Sequence, residues 1–269
     1  MMRSIALLNQ KGGVGKTTTT VNLGACLAKL GKKVLIVDVD PQANLSVHFG
    51  VDIYNLKYSI YNLIKGECKP SEVILRTYSN GLDIIPSDID LSGAEIELVG
   101  VVGRETVLKE YLEDALVQYD YALFDCPPSL GLLTLNVLTL VREIFIPVQT
   151  EFFALRGVSK LLNTFEIVRK RLNNNLQITG IILCMYISRT RLSKEVVGKV
   201  KEHFEGRVFN TIIRKNVKLS ESPSHGKPII SYAPESYGSE DYMSLAREVI
   251  RQEDLKNPCP LEHSSHPYQ

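Results

Sequence analysis

Ten consecutive residues near the N-terminus, Asn9-Gln10-Lys11-Gly12-Gly13-Val14-Gly15-Lys16-Thr17-Thr18, set three glycines among two lysines and two threonines. Glycines let successive backbone N–H groups curl around an anion with no Cβ in the way. An apolar run, Ser4–Leu8, precedes them and a helical pattern, Thr17–Leu30, follows. That strand, loop and helix order is the setting a phosphate loop requires. The helix N-terminus would add its positive end. Lys16 would bridge β- and γ-phosphates, the Thr17 hydroxyl would bind Mg²⁺, and Thr18 would reach the α-phosphate. The competing reading is a glycine-rich turn with a chance lysine. Gln10 stands where the ordinary G-x-x-x-x-G-K-[ST] pattern has its first glycine, and no G-x-G-x-x-G dinucleotide fingerprint is present.

Carboxylates follow at two strand ends. Val34–Val37 leads into Asp38-Val39-Asp40-Pro41, and Ala122–Phe124 leads into Asp125-Cys126-Pro127-Pro128. In an open α/β sheet, ligands sit at the carboxyl ends of strands. Pleating puts Asp38 and Asp40 on one side. Phosphoryl transfer to water needs a group that orients the water and carboxylates that hold Mg²⁺. Each aspartate alone could equally be a turn or helix cap.

The rest of the chain has the elements to position these groups. Leu82–Pro86, Ile144–Val148, Ile178–Leu183 and Val208–Ile213 read as further strands whose continuous apolar character suits burial on both faces. Helical patterns cover Glu105–Gln118, Leu132–Leu140, Val158–Leu172, Lys194–Phe204 and Tyr237–Arg251, and Gly31 suits a helix C-terminus. The alternation predicts an α/β fold with a doubly wound, mostly parallel sheet flanked by helices. Val51–Ser71 is irregular. Residues 1–252 read as one domain, and 253–269, with three prolines, as a disordered tail. The five cysteines have no C-x-x-C spacing, so they suit reduced thiols in a cytoplasm better than a zinc or iron–sulfur site. No apolar run reaches the roughly 18 residues of a membrane span, and the N-terminus lacks the plan of a signal peptide.

The loop Lys11-Gly12-Gly13-Val14-Gly15-Lys16-Thr17 resembles the deviant phosphate loop of the ParA/MinD superfamily of P-loop NTPases, with a second, signature lysine at Lys11. Pro41–Ser46, Pro147-Val148-Gln149, Phe153–Gly157 and Asn216–Pro228 resemble further blocks of the ParA/Soj family, so the likeness spans about residues 2–251. It implies an ATPase with ATP and Mg²⁺ as cofactors and slow basal turnover. Nucleotide would be held by Lys11, Gly12, Gly13, Val14, Gly15, Lys16, Thr17 and Thr18. Lys11 would cross an ATP-dependent homodimer to the partner's phosphates. Asp40 would orient water, Asp38 would lie near the metal's water shell, and Asp125 would hold Mg²⁺ through a water. Arg214 stands where the family usually has proline, near the adenine. The resemblance also implies a ParB-like activating protein, acting through a basic N-terminal peptide, and DNA partitioning at the nucleoid.

Residues 186–227 carry ten Lys and Arg against four acids, a net +6, while the whole chain is only +1. Such a segment is the electrostatic footprint of non-specific nucleic-acid binding, or else a solvated helix face. Relatives use positions matching Arg189 and Lys218 for DNA; Arg191 and Lys215 are further candidates. Aromatic platforms for single strands are absent, which favours double-stranded DNA. A MinD-like ATPase acting at the membrane would need a basic amphipathic C-terminal helix. Glu240, Asp241, Glu248, Glu253 and Asp254 make the end acidic instead, so no stable membrane association is expected. A third reading, an amidoligase-like synthetase, would need a substrate pocket.

Overall fold

The computed structural model describes residues 2–151 and 154–256, without the side chains of 154–160 and 254–256. Along the chain the strands are β1 Arg3–Leu7, β2 Val34–Asp38, β3 Leu75–Arg76, β4 Leu82–Ile85, β5 Tyr121–Asp125, β6 Glu143–Gln149, β7 Gln177–Tyr186 and β8 Val208–Arg214. The helices are α1 Lys16–Lys29, α2 Asn44–His48, α3 Ile60–Ile64, α4 Pro70–Val73, α5 Leu91–Glu97, α6 Val107–Leu116, α7 Leu132–Leu140, α8 Ala154–Arg171, α9 Arg191–His203, α10 Val217–Glu221, α11 Ile229–Tyr232 and α12 Tyr237–Lys256.

In space the strands run β3-β4-β2-β5-β1-β6-β7-β8. Every pairing is parallel except the two-residue β3 edge on β4. The chain winds from β1 to one side through β2 and β4, returns to β5, and then crosses to β6, β7 and β8. β1 is therefore the switch point, where the crevice above the carboxyl ends opens. β1, β2 and β5 are fully buried because helices cover both faces, which is why they read as unbroken apolar runs.

Two apolar cores form, one on each face. One includes Leu35, Phe124, Leu112, Val137 and Val200; the other Ile5, Leu27, Ile36, Phe145 and Leu245. Gly24 brings α1 close to the sheet, since a Cβ there would stand 2.8 Å from Ile36 Cγ2. α12 closes over α1, with the buried Tyr242 hydroxyl 3.1 Å from Thr19 Oγ1. Arg3, at the foot of β1, makes a buried ion pair with Glu143 (2.7 Å) and donates to the Val249 carbonyl of α12.

The expected strands are all present. β3, α2 and α5 are additions that no apolar run announced, and the irregular zone holds α3 and the start of α4. α12 continues through Lys256, so residues 253–256 are helical rather than tail. Residues 257–269 of the expected tail lie outside the described residues.

Candidate nucleotide site

Residues 8–15 leave β1 at the switch point and turn into α1. Gly13 and Gly15 take φ of 72° and 96°, a left-handed conformation that side chains disfavour. Val14 between them is buried and anchors the loop by its side chain, so its backbone rather than its side chain faces a ligand. Asn9 Nδ2 donates to the Pro147 carbonyl (2.7 Å) and its Oδ1 accepts from Lys11 N–H (3.0 Å), which fixes the loop's entry. α1 begins with no side-chain cap and no acid in its first turn. Its first N–H groups are unsatisfied donors at the positive end of a helix dipole, an arrangement that binds anions. A Cβ at Gly12 would meet nothing, so open space lies beside the loop.

Lys16 is only 7% exposed and lies close enough to Asp125 to act on its ionisation. Asp38 and Asp125 are direct partners across β2 and β5. Burial first, and then the proximity of Asp38, push the Asp125 carboxyl up to about 8. Burial likewise pushes Asp38 up to about 7, against the hydrogen bonds from Ser46. Asp38 Oδ2 accepts from Ser46 N–H (2.9 Å) and Ser46 Oγ (2.7 Å), and its Oδ1 from Asp40 N–H (3.2 Å). Asp38 thus locks α2 and the backbone that presents Asp40. Asp125 differs, because its Oδ2 is buried with no hydrogen-bond partner among the described residues. A stranded carboxylate oxygen beside Lys16 and the half-exposed Thr17 fits a hydrated Mg²⁺. Such a cation would restore both carboxylates to their charged forms. Asp40 is half-exposed at the mouth, with Oδ1 accepting from Gln42 N–H (3.0 Å).

Lys11 does not point into this crevice. Its ammonium lies 3.0 Å from Gln149 Oε1 and 3.0 Å from Glu151 Oε2, at the end of β6 in the same chain. A cavity of about 210 Å³ beside the loop is lined by Gly15, Thr18, Cys184, Met185, Ile213 and Arg214 among others, an apolar slot suited to a base. Met185, with φ of 56°, is strained where it approaches Gly15. The Arg214 guanidinium is held by Asp241 (Nε 3.0 Å) and Glu240 (2.7 Å) and lies 4.2 Å from the Tyr237 ring centre, so it ties β8 to α12. Ser46, Met185, Gln149 and Glu151 are site residues that sequence reasoning did not single out for these contacts. Each matters through a tertiary contact; Ser46 and Gln149 belonged to recognised blocks, Met185 and Glu151 did not.

Beyond the slot lies a groove of about 710 Å³ lined by residues 186–189 and 214–217, with Ser220 and Tyr237. Arg189 and Lys215 line it, and among the described residues neither has an ion pair. Arg191 is paired with Glu195 (2.7 Å) and Lys218 with Glu221 (2.8 Å).

An anionic ligand carrying its own cation would satisfy both the bare donors of α1 and the stranded oxygen of Asp125, and that arrangement, at the switch point of this sheet, is the one that marks P-loop nucleotide-binding proteins. A family model described as "AAA domain" matches residues 2–178. The sporulation initiation inhibitor protein Soj of Bacillus subtilis is 51% identical over 93% of this chain and 98% of its own length. The chromosome-partitioning ATPase Soj of Treponema pallidum is 49% identical over 93% and 98%. The chain belongs to the ParA/Soj family. Among solved structures, a cobyrinic acid a,c-diamide synthase from Mycobacterium smegmatis with bound ADP and magnesium matches with a TM-score of 0.83 and 35% identity over 96% of both chains.

Proposed function

We propose that this protein is an ATP-dependent dimerising switch that holds non-specific double-stranded DNA in its ATP state and hydrolyses ATP to ADP and phosphate to drive DNA partitioning. The observation that carries this reading is a shared wall. Arg214, Lys215, Asn216 and Ser220 line both the base slot and the basic groove. A ligand that orders one side of that turn acts directly on the other.

The loop N–H groups and Lys16 bind and orient the phosphates. Asp125, with Thr17, holds Mg²⁺, whose role is to neutralise charge developing on the phosphates. Asp40 orients the attacking water, and Asp38 fixes its backbone. Lys11 leaves Glu151 and engages a second protomer. A ParB-like protein accelerates turnover, and the protein works in the cytoplasm on the nucleoid. The membrane-acting alternative is disfavoured because Tyr242, Leu245, Ala246 and Val249 of α12 are buried in the core. Among the described residues no helix is long and apolar enough to cross a membrane.

Size-exclusion chromatography with ATP, ADP or no nucleotide, each with and without a DNA duplex, tests the switch. The expected result is a dimer that carries DNA in ATP alone. Equal DNA retention in ATP and ADP would overturn it.

A further inference from the structure

Toward the amino ends of the parallel strands, away from the nucleotide, the start of β8 and the outer face of α12 enclose a recess of about 540 Å³. Three arginines line it, Arg207 from the turn before β8 and Arg247 and Arg251 from α12. All three are exposed, and among the described residues none of their side chains has an ion pair or a hydrogen bond. The one acid in the lining, Glu248, does not serve them. Its Oε1 accepts from Asn210 N–H (2.7 Å) and its Oε2 from Thr211 N–H (2.9 Å), which caps the open edge of β8. The lining therefore carries a net +2, with its carboxylate already engaged.

Arg247 and Arg251 stand one turn apart on one helix face, where like charges repel. The helix beneath them is anchored. Leu245, Ala246 and Val249 are buried, the Val249 carbonyl accepts from Arg3 (2.8 Å), and Gln252 Nε2 donates to the Thr179 carbonyl (3.2 Å). A guanidinium presents a planar fork of N–H donors that matches the oxygens of a phosphate. Three such forks around one recess suit more than one phosphate, and the volume lies in the range of small-molecule sites. The basic groove is a different place. Tyr237 of α12 lines that groove, and Arg247 and Arg251 follow ten and fourteen residues later, about 15 and 21 Å along the helix axis. No residue of the phosphate loop lines the recess either.

We propose that the recess between β8 and α12 binds a small molecule carrying two or more phosphate groups, held by Arg207, Arg247 and Arg251. This second anion site is separate from the ATP site, and it does not rest on the ATPase reading above.

The test titrates tripolyphosphate and orthophosphate calorimetrically into the full chain, without magnesium and at physiological salt. The same titrations are run on Lys16→Ala and on the double variant Arg247→Ala/Arg251→Ala. Lys16→Ala removes the cation of the phosphate loop, so binding that survives it lies elsewhere. Lys16→Ala should bind tripolyphosphate about tenfold or more tighter than orthophosphate, because each further phosphate gains charge-assisted hydrogen bonds. Adding Arg247→Ala/Arg251→Ala to it should weaken tripolyphosphate by about tenfold or more. Arg207→Ala, on a different element, should act in the same direction. Arg247→Lys/Arg251→Lys keeps the charge without the fork and should restore only part of the affinity. Hydrogen exchange should show protection of residues 206–211 and 244–252 by tripolyphosphate. Binding that Lys16→Ala abolishes, equal affinity in the arginine variants, or protection confined to residues 9–18 would overturn the site. A DNA duplex that loses affinity in Arg247→Ala/Arg251→Ala, with no tripolyphosphate bound outside the phosphate loop, would make these arginines DNA contacts and overturn it as well.

Discussion

Lys11 is held by a pair that water can reach, with Lys11 and Glu151 side chains 41% and 55% exposed. Such a pair contributes about 0–1 kcal/mol, so nucleotide phosphates of a second protomer can displace it. Lys11→Ala should therefore bind ATP as a monomer, by calorimetry, yet form no ATP-dependent dimer and lose hydrolysis. Normal dimers would contradict the role in trans. Asp40 is not among the groups that cradle the phosphates, and Asp40→Ala should accumulate the ATP dimer with turnover cut at least about tenfold; wild-type turnover would remove it from the chemistry. The buried carboxylates make a pH prediction. With folded values of about 7 and about 8 for Asp38 and Asp125, the folded nucleotide-free protein binds more protons than the unfolded chain above the ordinary carboxylate range. Their contribution is full at low pH and is lost as pH rises toward 8. Urea midpoints of nucleotide-free protein should fall between pH 5 and 8, and Asp125→Asn should flatten that slope. The loop and the aspartates were legible in the sequence because their spacing is local. Ser46 and Glu151 were not, because nothing in the order of residues says that α2 folds back on Asp38 or that the end of β6 meets Lys11.

Elements fail and succeed for different reasons. The strands were legible because burial on both faces writes a continuous apolar run. The five-residue α2 has Ala43 in a left-handed conformation before it and no side-chain cap, and α5 likewise lacks one. Neither leaves a start signal. α1 depends on a position where a hydrogen suffices. Gly24→Val should push α1 from β2 and cost about 1–3 kcal/mol, read as a lower melting temperature together with weaker nucleotide binding, because the same helix carries Lys16 and Thr17. A melting temperature equal to wild type would show that Ile36 yields. At the foot of β1, Arg3→Ala would remove the guanidinium that pairs with the buried Glu143, whose carboxylate also accepts from the Thr179 hydroxyl (2.6 Å). Loss of a buried partner typically costs about 3–5 kcal/mol, and denaturant unfolding should show it.

At the scale of the whole molecule, a net charge of +1 conceals +6 in residues 186–227 and −6 in residues 88–114. The basic segment was visible as composition, but which of its charges stand unpaired was not. Arg191 and Lys218 neutralise acids on their own helical turns, whereas Arg189 and Lys215 do not. Reversing Arg189 and Lys215 to Glu should weaken binding to all duplexes alike and flatten the salt slope by about one unit for each DNA phosphate left without its cation. Arg191→Glu alone should do less, and ATP dimers should survive in each. Filter binding against salt, in ATP, would decide, and a double variant that binds as wild type does would return the groove to a solvated face.

The acidic segment leaves β4, second in the strand order, and the basic one leaves β7, seventh. Five strand spacings separate them, roughly 24 Å at about 4.8 Å each. Such a separation exceeds the Debye length of about 8 Å at physiological salt, so the two ends do not cancel in solution and the molecule behaves as a compass needle. Near a polyanion it turns before it touches. Collisions become productive more often than random orientation allows, and the advantage fades as salt is added. The same torque turns the acidic segment, residues 88–114, away from the polymer and into the open solution.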